Sequence, residues 1–420
     1  MNNKTNSKIN KKRQLLTNIL IRLTTKVLNK YKPIVIAITG NVGKTSTKEA
    51  VFTILKSKYR CRRNEMNYNT PIGVAITVIG TKSGEGSLIA WCLNILFAFK
   101  LLLFKQKDYP EILIIEMGAD RPGDIEYLCN ILKPKIGIIT NIGDIPVHIE
   151  YFKNIEDLYY EKSKLIKCLP PEGAAILNYD NKKILDFKNL TNASVITYGF
   201  DEGAEVRASN FKIIPQNNLD ESEMYFRIEY GGTSVPFQIA GVFGKNYAYA
   251  FLCAISVGIY FNINLVESLE YLKDYKKLPH RTNILPAIKN SWIIDDSYNA
   301  SPVAVSFSLE LLNTLPANRR IFVFGDMKEL GSYIEQAHRQ VGDEIIKYNI
   351  DLVINIGNYT ENTYNQLINN GFKADNVYYF KNLLDAIDLL QNIIQTGDII
   401  LIKGSHSMGL DKIVQSLEKN

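Results

Sequence analysis

The sequence predicts an α/β protein with two sheet domains, on the basis of two patterns. In the first, an apolar run at 33–38 precedes the glycine-containing segment 39–46, and an apolar spacing typical of a helix follows. In the second, five apolar runs in the C-terminal third alternate with helical segments, which is typical of an open parallel sheet. We therefore expect a P-loop central domain with a mostly parallel sheet and a C-terminal Rossmann-like α/β domain.

Composition sets limits on the class of protein. The chain has 420 residues, enough for two or three domains, and a net charge of +6. The first 32 residues contain many Lys and Arg and no acidic residue, so most of the basic excess belongs to this tail. A uniform nucleic-acid-binding face is therefore not expected. The five cysteines are scattered without CxxC spacing, which argues against a disulfide framework and a zinc site.

The N-terminal region predicts an amphipathic helix from Arg13 to Tyr31. It lacks the order of regions found in signal peptides, and together with the cysteine usage this indicates a cytoplasmic protein. Two interpretations stay open: the helix docks on the protein's own surface, or it binds a membrane surface or a partner. The apolar stripe consists of Leu15, Leu16, Ile19, Leu20, Leu23, Val27 and Leu28.

Residues 87–104 are unusually apolar and form part of an expected helical insertion at about 83–108. The segment is barely long enough to span a bilayer, and it contains Asn94 and Lys100. We therefore expect a buried or interfacial helix, for which the N-terminal helix is a candidate partner. The expected domain organisation is a basic N-terminal helix at 1–32, the central domain at 33–284 and the C-terminal domain at 285–420.

The segment Thr39–Ser46 predicts a phosphate-binding loop. Gly40 and Gly43 allow backbone N–H groups to turn toward phosphates, and the following helix N-terminus adds partial positive charge. Lys44 is suited to the β- and γ-phosphates, and Thr45 offers a hydroxyl to Mg²⁺. The strict Walker spacing requires glycine where Ile38 stands, so the match is to a shortened form. The segment indicates a nucleoside-triphosphate site.

Two further residues carry chemistry. Glu116 ends an apolar strand beside the loop, where ligands collect in open α/β sheets, and its carboxylate is suited to Mg²⁺. Lys162 lies within the apolar stripe of a helix predicted over about 154–169. A buried ammonium is costly unless it is paired or modified, although a lysine that reaches out to water is the simpler alternative.

Several ordered motifs resemble those of the Mur ligases, which are ATP-dependent amide-bond-forming enzymes of peptidoglycan precursor synthesis. The C-terminal motifs narrow the resemblance to the MurF type of that family. The resemblance covers about 33–417. The motifs are 39–46, 116–119, 140–143 with His148, 161–164, 295–302, 324–331 with His338 and Arg339, and 403–408.

The resemblance implies roles for individual residues. The catalytic set is Lys44, Glu116, His148, Lys162 and Arg281, with Lys162 carbamylated. Two Mg²⁺ ions are implied, with Thr45, Glu116, His148 and Lys162 as their ligands. The ATP-binding set is Thr39, Gly40, Asn41, Val42, Gly43, Lys44, Thr45, Ser46, Arg281, Asp296 (at the ribose), Tyr298 and Asn299. Gly325, Asp326, Glu329 and 403–405 are implied on the acceptor side.

The implied reaction adds D-Ala-D-Ala to a UDP-MurNAc-tripeptide. ATP phosphorylates the terminal carboxylate, and the incoming amine then displaces phosphate through a tetrahedral intermediate. Charge builds on the transferring oxygens in both steps, which is the charge that Mg²⁺, Lys44 and Arg281 are suited to stabilise. Closure of the cleft between the domains is implied to exclude water. We expect a monomer in the cytoplasm, with contact of the tail with a membrane left open and no nucleic-acid partner.

The sequence departs from the family pattern at three places. The separate N-terminal domain that usually holds the UDP-sugar is expected to be absent, and the position of an asparagine near adenine is occupied by Ala250. His406 replaces a common arginine. Two other hypotheses therefore stay open: a ligase of this fold that acts on another peptide or polyglutamate carrier, and a non-catalytic nucleotide-binding partner of cell-wall enzymes.

Overall fold

The computed structural model describes the backbone of residues 2–65, 68–84 and 87–419, and the side chains of these residues except 2–15 and 88. The strands form two sheets. The strands of the first are Ile34–Thr39 (β1), Cys61–Arg63 (β2), Ile112–Glu116 (β3), Ile136–Ile139 (β4), Ala174–Asn178 (β5), Ser194–Gly199 (β6), Val206–Ile214 (β7), Glu223–Tyr230 (β8) and Thr233–Ala240 (β9). Those of the second are Asn283–Ala287 (β10), Ser291–Asp296 (β11), Arg319–Gly325 (β12), Leu352–Ile356 (β13), Val377–Phe380 (β14) and Asp398–Lys403 (β15).

The helices cover both faces of each sheet. Helices of the N-terminal part are Asn2–Tyr31 (α1), Lys44–Leu55 (α2), Pro71–Ile79 (α3), Leu88–Leu103 (α4), Asp124–Leu132 (α5), Ile155–Lys167 (α6), Lys182–Leu185 (α7), Lys245–Tyr260 (α8) and Leu265–Leu272 (α9). Those of the C-terminal part are Pro302–Thr314 (α10), Ile334–Lys347 (α11), Glu361–Asn369 (α12), Leu383–Ile393 (α13) and Asp411–Leu417 (α14).

The first sheet has the order β2-β3-β1-β4-β5-β6-β7-β8-β9, and it is parallel from β2 to β7. β1 therefore lies between β3 and β4, and the carboxyl ends of these three strands meet at one edge. The antiparallel strands β7, β8 and β9 form the far edge, as the alternating pattern of 180–238 predicts. The α/β class and the mostly parallel sheet are confirmed, and this arrangement sets the phosphate-loop segment beside Glu116.

The second sheet has the order β10-β11-β15-β12-β13-β14. All five strands predicted in this region are present, and they pair in parallel. The first strand, β10, was not predicted, and it pairs antiparallel with β11. Its sequence, Asn283 to Ala287, contains Pro286, which a sheet tolerates at an edge strand. The Rossmann-like C-terminal domain is thus confirmed with one added edge strand.

The two apolar segments outside the sheets pack together. α1 contacts α3, α4 and α5, and its residues Leu20, Leu23, Val27 and Leu28 are buried in the core under one face of the first sheet. The part of α1 from residue 16 onward therefore docks on the protein's own surface. Leu15 belongs to the predicted stripe, but its side chain lies outside the described residues. Within the described chain, no helix combines the length and the apolar character needed to cross a bilayer.

Candidate functional site

A cleft of about 230 Å³, open to solvent, lies between the two sheet domains. The central domain contributes the phosphate loop and the end of β3, and the C-terminal domain contributes the start of α10 and the end of β15. Among the predicted site residues, those that line the cleft are Asn41, Val42, Gly43, Lys44, Thr45, Ser46, Glu116, His148, Arg281, Asp296, Tyr298, Asn299 and Lys403. The cleft therefore collects residues that are more than 250 positions apart in the sequence.

The backbone of the phosphate loop explains its two glycines. Gly40 has φ 140°, and a Cβ at this position would lie 2.0 Å from Oγ1 of Thr140 on the neighbouring strand. Gly43 has φ 85°, in the left-handed region that favours glycine. The N–H of Asn41 donates to the carbonyl of Asn141 at 2.7 Å, which ties the loop to the end of β4. Because α2 starts directly after Gly43, its free N–H groups form a favourable anion site.

Lys44, the first residue of α2, is buried beside the loop. Its Nζ donates to the carbonyl of Gly40 at 3.0 Å and contacts that of Asn41 at 3.4 Å. Within the described chain, no carboxylate lies within 4 Å of this ammonium. Burial lowers the pKa of Lys44, and the negative charge of Glu116 opposes that shift. The ammonium is thus held by carbonyl dipoles alone, which leaves it available to an anionic ligand.

Glu116, Thr45 and Arg281 form a hydrogen-bonded chain across the cleft. The hydroxyl of Thr45 donates to Oε2 of Glu116 at 3.0 Å. Nη2 of Arg281 donates to the same hydroxyl at 3.3 Å. Arg281 belongs to the segment that connects α9 to β10, so the connection between the domains reaches directly into the phosphate loop. The guanidinium also lies 4.1 Å from the ring centroid of Tyr298.

Two residues that the sequence reasoning missed hold Glu116 in place. The backbone N–H of Glu116 donates to Oδ1 of Asn64 at 2.9 Å, and Nδ2 of Asn64 donates to the carbonyl of Glu116 at 3.1 Å. Lys48, which is fully buried, donates to the carbonyl of Asn64 at 2.7 Å. Its Nζ lies 3.9 Å from Oε2 of Glu116 and 3.6 Å from Glu49. Burial lowers the pKa of Lys48.

Lys48 had a signal in the sequence. It lies three and seven residues before Val51 and Leu55, on the apolar stripe of α2, which is the same criterion that singled out Lys162. Asn64 had no comparable signal, because it follows a three-residue strand and nothing in the local pattern distinguishes its amide from that of a solvated loop.

Lys162 is only 1% exposed, so the alternative in which it reaches out to water is wrong. Its Nζ donates to the carbonyl of Gly40 at 3.2 Å, and it makes no ion pair with the described residues. Burial, reinforced by the positive charge of Lys44, lowers the pKa of Lys162 to about 7. The α6 helix thus presents to the back of the phosphate loop an amine that loses its proton near neutral pH.

His148 lines the cleft and connects the domains. It has φ 68°, and its Nδ1 lies 2.8 Å from Oε2 of Glu329 in the C-terminal domain. Asp120 lies farther away, at 3.8 Å. The hydrogen bond from His148 lowers the pKa of Glu329. The backbone of the preceding residue, Val147, accepts a hydrogen bond from Asn41 at 2.8 Å, so His148 is positioned next to the phosphate loop.

The C-terminal wall of the cleft consists largely of paired charges. Asp296 contacts the ammonium of Lys403, and it also accepts from the hydroxyl of Ser308 at 2.6 Å. Lys403 donates further to the carbonyl of Asn299 at 3.0 Å. Asp326, which is expected on the acceptor side, accepts from three backbone N–H groups at 358–360. Its carboxylate therefore orders the start of α12.

A second, narrow cavity of about 10 Å³ adjoins the phosphate loop. Ala250 lines it and is buried, so the position expected to contact adenine offers no polar side chain. Asn246, one turn earlier on α8, lines both this cavity and the main cleft. Its Oδ1 is buried and has no hydrogen-bond partner among the described residues. A buried acceptor without a partner is costly, so it indicates a site for a ligand donor.

The oxygen groups of the cleft fit a magnesium ion. Within the described residues, no group of three or more His, Cys, Asp and Glu side chains is suitable for a metal on its own. The hydroxyl of Thr45 and the carboxylate of Glu116 lie together beside the loop. Mg²⁺ is usually bound by one or two protein oxygens together with phosphates and water, so this small set suits Mg²⁺ bound with a nucleotide.

Comparison with known families gives a match for each domain. The family model described as Mur ligase middle domain matches residues 38–258, and the model described as Mur ligase, glutamate ligase domain, matches residues 280–406. The UDP-N-acetylmuramoyl-tripeptide–D-alanyl-D-alanine ligase of Rickettsia prowazekii is 30% identical over 383 residues, which cover 90% of this chain and 77% of that protein. The ligase of the same name from Bacillus subtilis is 26% identical over 91% of this chain and 75% of its own length.

Solved structures show the same fold. MurF from Acinetobacter baumannii superposes with a TM-score of 0.78 at 21% identity, covering 94% of this chain and 79% of its own. The MurF ligase from Thermotoga maritima in complex with ADP gives a TM-score of 0.77 at 23% identity, covering 95% and 83%. The middle-domain model alone matches more than half of the chain. The chain therefore belongs to the Mur ligase family.

Proposed function

We propose that this protein is an ATP-dependent ligase that joins D-Ala-D-Ala to a UDP-MurNAc-tripeptide. The γ-phosphoryl group of ATP is transferred to the terminal carboxylate of the peptide, which gives an acyl phosphate and ADP. The amine of D-Ala-D-Ala then attacks the acyl carbon, loses a proton, and phosphate leaves. The names of the relatives support this reaction, and ATP and a UDP-linked substrate point to the cytoplasm.

One observation carries the proposal. Arg281, in the segment between the domains, donates to Thr45 of the phosphate loop and stacks on Tyr298 of the C-terminal domain. The phosphate donor and the groups of the second domain therefore face the same space. A ligase of this kind needs that arrangement, because the acyl phosphate must meet the amine before water does.

The phosphates of ATP fit the loop and its cations. The N-terminus of α2 faces the α- and β-phosphates, and Lys44 exchanges its carbonyl contacts for phosphate oxygens. Arg281 approaches the γ-phosphate from the interdomain side. Thr45 and Glu116 are the residues that would hold Mg²⁺, which when bound neutralises charge on the phosphate oxygens. Asn64 fixes the backbone of Glu116, and the ammonium of Lys48 lies 3.9 Å from its carboxylate.

Lys162 is proposed to carry a carbamate. The ammonium first loses a proton; the neutral amine then attacks CO₂, a C–N bond forms, and a second proton leaves, so that the cation becomes an anion. The exchange replaces the repulsion between Lys162 and Lys44 by attraction, which lowers the cost of burying both groups. The carbamate then supplies an oxygen group behind the loop, in line with the implied metal role of Lys162. His148, the other implied metal ligand, contacts Glu329 and adjoins the acceptor side.

The nucleoside of ATP is proposed to lie between α8 and the start of α10. The unpartnered Oδ1 of Asn246 accepts from the amino group of the base, a role that Ala250 cannot perform. Asp296 reaches the ribose, since it lines the cleft while Lys403 and Ser308 hold it. Tyr298 and Asn299 close the same side. Glu329 and Lys403 then remain for the peptide and the incoming dipeptide.

A coupled assay of phosphate release tests the function. We expect release from Mg-ATP only when UDP-MurNAc-tripeptide and D-Ala-D-Ala are both present, with a dipeptide-extended product detected by mass spectrometry. Phosphate release that does not depend on the dipeptide would contradict the proposed reaction. Release that requires a different amine, with the same nucleotide substrate, would instead support a ligase of the same fold for another substrate.

A further inference from the structure

The outer face of α4 is exposed and mostly apolar, with Lys100 as its charged residue. Ile89 and Leu103, near its two ends, are each 75% exposed, and Leu93 and Leu96 between them are 59% and 62% exposed. Ile89, Leu93 and Leu96 are spaced by three or four residues, and Lys100 fills the next position before Leu103, so these residues form a single stripe. Phe97, Phe99 and Phe104 widen it. Many of the large, exposed apolar side chains of the described residues lie on this helix. Elsewhere on the described surface such side chains occur singly or in smaller groups.

The inner face of α4 fixes this orientation. Asn94, Ala98 and Leu101 are buried, and Nδ2 of Asn94 donates to the carbonyl of Lys82 at 3.1 Å. Lys30 on α1 donates to the carbonyls at the end of α4, at 2.9 Å to that of Leu101. These contacts hold α4 against α1 and α3, so the helix cannot rotate to bury its outer face against the rest of the chain.

The segments that form α1 and α4 are basic. The segments 1–48 and 87–107 contain no Asp or Glu, and the first 32 residues contain nine Lys and Arg, which exceeds the net charge of +6 for the whole chain. Arg22 and Lys26 are exposed on α1, and Lys100 and Lys105 are exposed on or just after α4. The rest of the chain is therefore net negative, and the positive charge is localised to the two helices that carry the apolar face.

From this combination we infer that the outer face of α4, with the basic residues of α1, docks on the surface of an anionic phospholipid membrane. An apolar stripe beside localised Lys and Arg is the pattern of helices that lie in the membrane plane, where the apolar side chains enter the acyl boundary and the cations meet anionic headgroups. At 1.5 Å per residue, the 16 residues of α4 extend about 24 Å, which suits a helix lying in the plane rather than crossing it. The inference does not depend on the proposed ligase reaction.

The test is flotation of the full-length protein with vesicles. We expect it to float with vesicles of phosphatidylcholine and phosphatidylglycerol, to bind phosphatidylcholine alone weakly, and to lose binding at high salt. The double substitution Leu96→Glu/Leu103→Glu is expected to lower binding to anionic vesicles at least about tenfold. The matched control is Leu384→Glu, at a position on α13 that is 71% exposed, and it is expected to bind like the wild type.

The outcomes separate the possible occupants of this face. Equal binding of the double variant and the wild type, or no binding of the wild type to anionic vesicles, would overturn the inference. A dimer that forms with increasing concentration in light-scattering measurements, is abolished by the double substitution and does not bind vesicles, would assign the face to a second copy. Thermal unfolding of each variant checks that the fold is retained, as expected for exposed side chains.

Discussion

The two walls of the cleft differ in whether their charged groups have partners of opposite charge. On the central-domain wall, the ammonium groups of Lys44 and Lys162 are buried and both contact the carbonyl of Gly40, without a carboxylate within 4 Å among the described residues. On the C-terminal wall, Lys403 contacts Asp296, and Nδ1 of His280 lies 2.8 Å from Oδ2 of Asp295. The first wall holds buried amino groups without an acidic partner, whereas the second holds ion pairs.

This difference separates two tasks. A buried cation without an acidic partner is costly, and the cost is recovered when an anionic ligand arrives. The central-domain wall is therefore prepared for phosphates and, at Lys162, for a carbamate. The paired charges of the C-terminal wall gain little from an added phosphate, and they are better suited to maintaining the shape of the wall. Replacing the lysines of the central-domain wall should therefore lower activity more than replacing charged residues of the C-terminal wall.

Replacement of Lys44 should have the largest effect. Lys44→Met removes the cation expected at the β- and γ-phosphates, and we expect kcat to fall about 10²-fold or more, because charge in the transition state loses a fixed partner. Phosphate release in the coupled assay measures it. The control Lys56→Met changes an exposed lysine just after the same helix and should leave the rate unchanged. Equal rates for the two variants would contradict the assignment of the loop.

Lys162→Met should also lower kcat by about 10²-fold, which is the loss typical of removing a residue that supports a bound metal or a developing charge. Removal of dissolved CO₂ should lower the activity of the wild type reversibly, while it should not change that of the variant. Lys167→Met, on the exposed side of α6, is the control. If bicarbonate restores nothing to CO₂-depleted wild-type enzyme, the carbamate is excluded even when the variant is inactive.

The lowered pKa of Lys162 gives a prediction for stability. In the folded state this pKa is about 7, against 10.5 for the ordinary side chain, so between these values the unfolded chain binds more protons than the folded protein. The free energy of unfolding of the wild type should therefore rise with pH in this window, by about 1 kcal/mol per pH unit relative to Lys162→Met. Urea unfolding at pH 7 and pH 8.5 without CO₂ measures the difference. A pH-independent difference would show that Lys162 stays charged.

The sequence predicted those parts of the fold and site that depend on local pattern. The parallel strands are continuous apolar runs, and the phosphate loop has its glycines and lysine in adjacent positions, so both are readable without tertiary information. β10 was missed because an edge strand that contains Pro286 has no apolar run. The site residues missed, Asn64 above all, act through backbone contacts formed only when β2 lies beside β3.

Replacement of Lys48 tests the contacts that support Glu116 from the side away from the cleft. Lys48→Met keeps the length of the side chain but removes the donor to Asn64, so Glu116 loses part of its support. We expect kcat to fall about tenfold and the Mg²⁺ concentration for half-maximal activity to rise, with the KM for D-Ala-D-Ala unchanged. Lys58→Met, which removes an exposed lysine paired with Glu267, is the control. If Lys48→Met has a lower thermal stability but an unchanged dependence of activity on Mg²⁺, Lys48 has only a structural role.

The smallest effect is expected at the contact between the walls. Glu329→Gln removes the charge opposite His148 while it keeps the shape of the side chain. Because both groups are partly exposed, the pair is worth little, and we expect the KM for the peptide substrate to rise about two- to fivefold with kcat nearly unchanged. Glu335→Gln, in an exposed pair with Arg339 on α11, is the control. A fall in kcat as large as that of Lys162→Met would mean that Glu329 takes part in the chemistry, and the distinction between a reactive wall and a paired wall would then fail at this position.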